Sequence, residues 1–402
     1  MSGHGADPVA VPARGRAVIF PGPGAATRLR RVRSAAIETN VKRLVERAGG
    51  AALCAVVKAD GYGHGAVTAA RAALAGGASW LAVATIPEAL EAAEAAESVG
   101  SEAPVLVLSE LPPAAAHAAA RACPQRVRFT VASPAGIEAL AAARSPCGAR
   151  AVHLKVDTGM NRMGAHPHEL QEAAAALRAA EGRLRPEGVW THLAVADQPR
   201  DPFTQVQLRR FDDALTALRG DGIDPGIRHA ANSAGLLAHR NSHFDMVRAG
   251  IAVYGVAPSP VLDSAVELLP ALELVSQVTA LRRVEPGGTV SYGRLWKARE
   301  PTLVATLGIG YADGVRRDSG SAGVEALVGG HRCPIVGAVT MDQLMVAVPE
   351  AAASQVRVGD EAVLIGRQGD EEITVQEIAR RLGTVGYEVL TSLTHRVRHE
   401  TV

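Results

Sequence analysis

Lys58 is the residue whose sequence context most directly indicates a chemical role. It follows an apolar run, residues 53–57, that predicts a buried strand, and it precedes the glycine-rich segment GYGHG at residues 61–65. Burial lowers the proton affinity of a lysine, and a neutral amine can attack a carbonyl group to form a Schiff base. A strand-end lysine that only reaches solvent is the alternative, but the neighbouring glycines favour a tightly shaped turn. We therefore predict covalent chemistry at Lys58.

Other polar residues lie at or just after the ends of further predicted strands. These residues are Lys155 with Asp157, His192, Asn232 with Ser233, and Arg248 with Gly250. Arg162 lies in a glycine-containing loop and could hold a carboxylate through a bidentate contact, with a surface ion pair as the alternative. His192 is either a satisfied core histidine or a catalytic one. The segments 231–235 and 248–251 could bind a phosphate with hydroxyl and backbone amide groups.

Apolar runs and helical stretches alternate through the first part of the chain in the way that βα units require. The predicted strands are residues 53–57, 80–84, 105–108, 127–131, 152–156, 188–191, 228–231 and 246–254. The clearest helices are predicted at residues 37–47, 66–74, 87–97, 112–121, 134–143, 167–180 and 204–218. This pattern predicts a (β/α)8 TIM-like barrel, with an open doubly wound sheet as the weaker option. The polar residues favour the barrel, because the carboxyl ends of its strands meet at one rim.

The pattern changes after about residue 258. Short β-branched runs separated by glycine and proline then predict a mostly β C-terminal domain, in which Thr374 caps one helix. We divide the chain into an N-terminal arm at 1–26, a barrel at 27–258 and a β domain at 259–402. The arm is expected to be partly disordered, and its apolar run at 17–20 could add a strand to the β domain.

The composition excludes several classes of partner. Lysine and arginine number 42 against 41 acidic residues, so the net charge of +1 favours neither nucleic acid nor an anionic membrane. The four cysteines have no metal-ligand or paired spacing, which is typical of a reducing compartment and indicates no metal site. No apolar stretch has the length of a signal sequence or a membrane span. We expect a cytoplasmic protein that acts on a small molecule.

Motifs along residues 29–396 resemble the alanine racemase family. The most specific is AVVKADGYGHG at residues 55–65, which is similar to the pyridoxal 5'-phosphate attachment site of that family. Further matching stretches contain Arg162, His192, Ser233, Arg248, Tyr292 and Met341. The resemblance implies a pyridoxal-phosphate barrel followed by a β domain, in agreement with the pattern of strands and helices.

The resemblance also implies a role for each matched residue. Lys58 would hold the cofactor as a Schiff base, with Arg248 at the pyridine nitrogen and His192 beside the ring. The phosphate would be bound by Tyr62, Ser233, Gly250, Ile251 and Tyr387. The substrate carboxylate would be bound by Arg162 and the backbone amide of Met341.

Two further implications concern charge and assembly. Lys155 would be carbamylated and would orient Arg162. Tyr292 would come from the second subunit of a homodimer, so that the active site is shared. Because racemisation removes a proton from one face of Cα and returns one to the other, Lys58 and Tyr292 would act as two bases on opposite faces. A free phenol has a pKa of about 10, so the site of Tyr292 must favour the phenolate.

The sequence leaves the substrate open. Ala338 and Thr340 stand where the family often has arginine and cysteine, and residues 396–399 differ from the usual ending. Alanine is the expected substrate, and serine or another small amino acid is the alternative. A pyridoxal-phosphate barrel decarboxylase and a non-catalytic carrier of the cofactor are further alternatives. The decarboxylase is disfavoured by Arg248, and the carrier by the presence of a second domain.

Overall fold

The computed structural model describes residues 28–143 and 148–402. The described residues form an eight-stranded sheet, a nine-stranded sheet and a two-stranded ribbon. The apolar run predicted at 17–20 lies outside these residues. The expected (β/α)8 barrel followed by a mostly β domain is confirmed.

The eight-stranded sheet is parallel and forms the barrel. The first strand of the chain, β1 (Leu29–Val32), belongs to the other sheet. The barrel strands are β2 (Ala52–Val56), β3 (Trp80–Val83), β4 (Val105–Glu110), β5 (Val127–Val131), β6 (Arg150–Lys155), β7 (Leu184–Trp190), β8 (Ile227–His229) and β9 (Met246–Ala249). They pair in the order β8-β7-β6-β5-β4-β3-β2-β9, so β9 returns to the side of β2. Backbone hydrogen bonds from Arg248 to Ala231 and from Asp245 to Arg228 lie along the closing seam.

Helices, many of them rich in alanine, surround the barrel. They are α1 (Ser34–Ala48), α2 (Lys58–Gly63), α3 (Ala66–Ala75), α4 (Ile86–Glu97), α5 (Pro113–Ala122), α6 (Pro134–Ala142), α7 (Leu170–Ala179), α8 (Phe203–Gly220) and α9 (Ser233–Ala238). The short segment labelled α2 is a left-handed turn rather than a regular α-helix. Side-chain caps fix the first residues of several of these helices. Thr85 and Glu88 form a reciprocal capping box on α4, and the Ser133 hydroxyl accepts from the amide of Gly136 at the start of α6.

The nine-stranded sheet carries the second domain. After β1 its strands are β10 (Leu272–Val284), β13 (Thr302–Leu307), β14 (Glu325–Val328), β15 (His331–Pro334), β16 (Leu344–Val348), β17 (Glu361–Gln368), β18 (Glu371–Ile373) and β19 (Arg398–Thr401). The ribbon pairs β11 (Thr289–Val290) with β12 (Trp296–Lys297). The helices are α10 (Glu350–Ala353), α11 (Val375–Arg381) and α12 (Gly386–Thr391). Thr374 caps α11 as predicted, because its hydroxyl accepts from the amide of Glu377.

Two of the differences from the sequence prediction lie at the two ends of the barrel region. The strand predicted at 246–254 ends at Ala249, and a 3-10 helix, Ile251–Tyr254, follows Gly250. A mostly apolar run such as residues 246–254 does not by itself distinguish a buried strand from a buried helical turn. β1 lies in the second sheet, between β10 and β19, although its residues fall within the range assigned to the barrel. The proposed domain limits remain predictions.

No helix within residues 28–143 and 148–402 is long and apolar enough to cross a membrane.

Candidate active site

The end of β2 leads into a backbone turn of unusual conformation. We call residues 58–65 the lysine turn. Residues 59–62 all have φ between 52° and 60°, in the left-handed region. This conformation costs a residue other than glycine roughly 1–2 kcal/mol, so neighbouring groups must hold it. One of them is Glu88, whose Oε1 accepts a hydrogen bond of 2.7 Å from the amide of Ala59.

The lysine turn forms one wall of a cavity of about 680 Å³ at the carboxyl ends of the barrel strands. Small-molecule sites commonly have volumes of roughly 300–1,000 Å³. Most of the site residues predicted from the sequence line this cavity. They are Lys58, Tyr62, Lys155, Arg162, His192, Ser233, Arg248, Gly250, Ile251 and Tyr387. The convergence follows from the parallel barrel, which brings the ends of distant strands to one rim.

The two lysines of the cavity have lowered pKa values. Burial lowers the pKa of Lys58, and the positive charge of Arg162 lowers it further, while Glu88 opposes the shift. Burial lowers the pKa of Lys155 to about 8, with Arg162 and Arg248 as further causes. Both amines therefore lose a proton more readily than an exposed lysine, which favours nucleophilic and base chemistry.

Arg248 is buried on β9 beneath the cavity. Its Nη2 donates to the carbonyl oxygens of Thr191 at 2.8 Å and Ala230 at 3.1 Å, and its Nη1 lies 2.9 Å from Nδ1 of His229. Burial lowers the pKa of Arg248 to about 10, so the guanidinium stays charged at neutral pH. Burial and the charge of Arg248 lower the pKa of His192 well below its ordinary value, so this imidazole is neutral there.

Hydroxyl groups and a glycine meet at another part of the cavity. The Ser233 hydroxyl oxygen accepts a hydrogen bond of 2.8 Å from the amide of Gly250. A Cβ at Gly250 would lie only 2.6 Å from the hydroxyl oxygen of Tyr62, so no larger residue fits without movement. The turn before Ser233 is fixed by Asn232, whose Oδ1 accepts from the amide of Gly235 at 2.9 Å. These groups could bind a phosphate.

Tyr292 and Met341 do not line the cavity. Their exposed fractions are 73% and 52%. Tyr292 and Thr340 line a separate groove of about 510 Å³ in the second domain. The carbonyl of Met341 accepts a hydrogen bond of 3.0 Å from the amide of Ala312. Within one chain, therefore, the described residues bring together the predicted cofactor site but not these two predicted site residues.

Tyr254 is a buried residue of this region to which the sequence analysis gave no role. Its ring centroid lies 5.0 Å from that of Tyr62 and 4.5 Å from that of His64. Its hydroxyl donates to the carbonyl of Val56 at 2.9 Å, just before the lysine turn. Tyr254 thus packs against both the end of β2 and the turn. Its apolar neighbours in the sequence gave no signal of this position.

Trp190 is a second such residue, at the end of β7. The Nζ of Lys155 and the Cζ of Arg248 each lie 4.6 Å from its ring centroid. Cations close to an indole ring are stabilised by its quadrupole. Trp190 therefore helps to hold two positively charged side chains in one buried region. A signal was present in the sequence, because Trp190 precedes His192 at a strand end.

The fold and the cavity define a class of two-domain barrel enzymes with a buried lysine of lowered pKa after the first barrel strand. Comparison with family models makes the assignment specific. Residues 32–258 match the model described as alanine racemase, N-terminal domain, and residues 271–401 match the alanine racemase, C-terminal domain. The chain belongs to the alanine racemase family.

Individual relatives agree with this assignment. The chain is 44% identical to an alanine racemase of Symbiobacterium thermophilum, over 90% of this chain and 93% of that protein. It is 42% identical to an alanine racemase of Thermobifida fusca, over 90% and 94%. The structure is similar to that of an alanine racemase from D-cycloserine-producing Streptomyces lavendulae, with a TM-score of 0.85, 35% identity and coverage of 94% of this chain and 97% of the other.

Proposed function

We propose that the protein is an isomerase that interconverts L- and D-alanine, with pyridoxal 5'-phosphate as its cofactor, in the cytoplasm. The observation that carries the proposal is the position of Lys58, whose amine has a lowered pKa and lines the same cavity as the other predicted cofactor-binding residues. The names of the relatives indicate the substrate, since proteins called alanine racemase match this chain over most of their length.

The cavity fits pyridoxal phosphate in three respects. The Lys58 amine suits covalent attachment to an aldehyde. The hydroxyl groups of Tyr62 and Ser233 converge beside Gly250, where they supply donors for a phosphate. Arg248 is buried and positively charged, and its guanidinium can donate a hydrogen bond to a ring nitrogen. When bound, the cofactor withdraws electrons from the amino-acid Cα and acidifies its hydrogen.

The residues of the chain would supply the proton transfers. In our proposal the Nζ of Lys58 removes or returns the Cα proton on one face, serving the D-enantiomer. The hydroxyl oxygen of Tyr292 does the same on the opposite face, serving the L-enantiomer. A single base would return the proton to the face from which it came, so inversion requires both groups.

Arg162 would bind the carboxylate of the amino acid. It lies in the cavity on a loop whose backbone is organised by Asp157, since the Asp157 carboxylate accepts from the amides of Gly159 at 2.8 Å and Arg162 at 3.2 Å. Carbamylation of Lys155 would place a negative charge in this positively charged region and orient the Arg162 guanidinium. The pKa of about 8 supports this step, because carbon dioxide reacts with the neutral amine. The backbone amide of Met341 would also contact the carboxylate.

A second copy of the chain would complete the site. Tyr292 and Met341 lie on exposed surface, together with Leu295 at 68% and Tyr311 at 41% exposure. An exposed group of large apolar side chains is typical of a protein interface. We propose a homodimer in which Tyr292 and Met341 of each copy reach the cavity of the other.

The direct test incubates the purified protein with pyridoxal phosphate and L-alanine and measures D-alanine by chiral chromatography. We expect D-alanine from the wild type and none from the Lys58→Ala variant. L-serine in a parallel reaction measures the breadth of the substrate range. Release of carbon dioxide would support the decarboxylase instead, and cofactor absorbance without either product would support the carrier.

A further inference from the structure

The lysine turn is held from outside the barrel by a residue of the second sheet. The residue is Arg30 on β1, the strand that pairs with β10 and β19. Its Nη1 donates to the carbonyl oxygen of Gly63 at 2.8 Å, and its Nη2 donates to Oδ2 of Asp60 at 2.8 Å. Both acceptors belong to the turn, so one planar guanidinium fixes two of its points.

Asp60 extends this contact to the next helix. Its Oδ1 accepts a hydrogen bond of 2.9 Å from the amide of Ala66, the first residue of α3, and its own carbonyl accepts from the amide of Gly65 at 2.8 Å. Asp60 also has a left-handed backbone, with φ of 53°. Arg30, Asp60 and α3 therefore form a chain of contacts around a backbone that would relax without support.

The contact differs from an ordinary surface ion pair. The exposed fraction of the Arg30 side chain is 10%, whereas that of the Asp60 side chain is 52%. Solvent screening therefore weakens the charge attraction between them. The carbonyl of Gly63, however, is bonded in a buried position. The main effect of Arg30 is geometric, since the spacing of its two donors fixes the distance between Asp60 and Gly63.

We infer that Arg30 is a positioning residue that keeps the lysine turn in its left-handed form and so places both Lys58 and Tyr62 in the cavity. The inference rests on the proposed function, in which these two residues hold the cofactor. It adds that the second sheet, through β1, sets how tightly the barrel holds that cofactor. Arg30 touches neither substrate nor cofactor in this account, and its effect passes through the backbone of residues 59–63.

The test compares three full-length variants loaded with pyridoxal phosphate. Arg30→Met removes the guanidinium with both donors and keeps an unbranched apolar stem in its place. Arg30→Lys keeps the charge but cannot make two contacts in the same fixed geometry. Arg31→Met is the matched control, because Arg31 is the next residue of β1 and forms its ion pair with Glu361, away from the turn.

Two measurements are made on each variant. The first is the rate of cofactor loss after dilution, followed by visible absorbance. The second is amide hydrogen exchange resolved by peptide, which reports the opening of residues 58–66 without reference to activity. We expect Arg30→Met to lose cofactor about tenfold faster than Arg31→Met and to exchange faster in this peptide, as expected when a charge-assisted pair of hydrogen bonds is lost. Arg30→Lys should lie between them.

The activity measurement separates positioning from substrate binding. At saturating cofactor, the KM of Arg30→Met for alanine should remain that of the wild type, because Arg162 is untouched, while the cofactor concentration needed for half activity rises. Equal cofactor loss and equal exchange in Arg30→Met and Arg31→Met would overturn the inference. Faster exchange spread evenly over the chain would also overturn it, since that indicates a general loss of stability. A wild type that neither holds the cofactor nor racemises alanine would instead refute the proposed function.

Discussion

The two lysines of the cavity have different surroundings, and this difference suits different tasks. Lys58 lies near Glu88, whose charge opposes the lowering of its pKa. Lys155 lies beside Trp190, where the charges of Arg162 and Arg248 add to the effect of burial on its pKa and Asp157 opposes them. Two arginines are among the groups that lower the pKa of Lys155, and carbamylation would replace the positive charge of this lysine with a negative one.

The pKa of Lys155 predicts a pH-dependent stability. Its folded-state pKa of about 8 lies below the ordinary value of 10.5, so between these values the unfolded chain binds the proton more tightly and stability rises with pH. Below pH 8 both states are protonated, and the full cost of the buried charge is present. Lys155→Met should therefore be more stable than the wild type below pH 8 and lose this advantage towards pH 10.5.

Denaturant unfolding of both proteins in buffer free of carbon dioxide, at a pH below and a pH above this window, measures the difference. An advantage that does not change with pH would contradict a lowered pKa at Lys155.

The lack of a side chain at Gly250 leads to a second prediction about a single residue. In Gly250→Ala the new Cβ would lie 2.6 Å from the hydroxyl oxygen of Tyr62 and would displace this proposed phosphate ligand. We expect at least about tenfold weaker binding of pyridoxal phosphate, measured by fluorescence titration, because close-packed sites cannot absorb such a contact without movement. Gly220→Ala is the control, since a Cβ there meets open space. Equal cofactor affinity in the two variants would contradict the assignment.

The lysine turn is the element on which the candidate site depends. Arg30 contacts it on one side, and α12, which carries Tyr387, closes it on another. A Cβ at Gly63 would lie only 2.3 Å from the carbonyl oxygen of Leu390 in α12. These contacts fix the lysine turn relative to both α12 and β1. They keep Tyr62 next to Tyr387, with ring centroids 6.1 Å apart.

The close contact at Gly63 can be separated from its backbone strain. Gly63 and Gly222 have similar left-handed φ values of 79° and 76°, but a Cβ at Gly222 meets no atom within 4 Å. Gly222→Ala should cost about 1 kcal/mol of stability, whereas Gly63→Ala should cost about 2 kcal/mol more, from the added collision. Thermal unfolding of both variants measures the difference. Equal costs would show that α12 moves away freely.

The sequence predicted the elements whose signals are local. The buried strands followed by polar residues gave the barrel and most of the cavity, because strand ends of a parallel barrel meet at one rim. Arg30 was not predicted, since its acceptors are reached only after β10 and β19 have placed β1 beside the turn. The left-handed backbone of Ala59 was also not predictable, because its neighbours impose that conformation from outside the turn. Tyr254 was predicted to lie in a strand because its apolar neighbours do not distinguish a strand from the 3-10 helix in which it lies.

At the scale of the whole molecule, an active site shared between two chains predicts that two inactive variants can restore activity in a mixed dimer. If Tyr292 acts in the cavity of the partner, a mixture of Lys58→Ala and Tyr292→Phe chains should form hybrid dimers with one intact site. Random reassociation of two inactive variants should then restore about a quarter of the wild-type activity. D-alanine formation before and after denaturation and joint refolding measures this. A mixture that stays inactive while the dimers exchange chains would place both bases in one chain.

The pairing of β1 with β19 has a consequence for the order of folding. Leu29 lies opposite Arg398, so the first described strand reaches its parallel neighbour only after residue 398 has been synthesised. Pairings so distant in the sequence form late, because the intervening chain must first be ordered. The barrel can close on the ribosome before then. The Arg30 contact follows the docking of β1, and we therefore expect the nascent barrel to acquire its final lysine geometry only after the strands that pair with β1 have been synthesised.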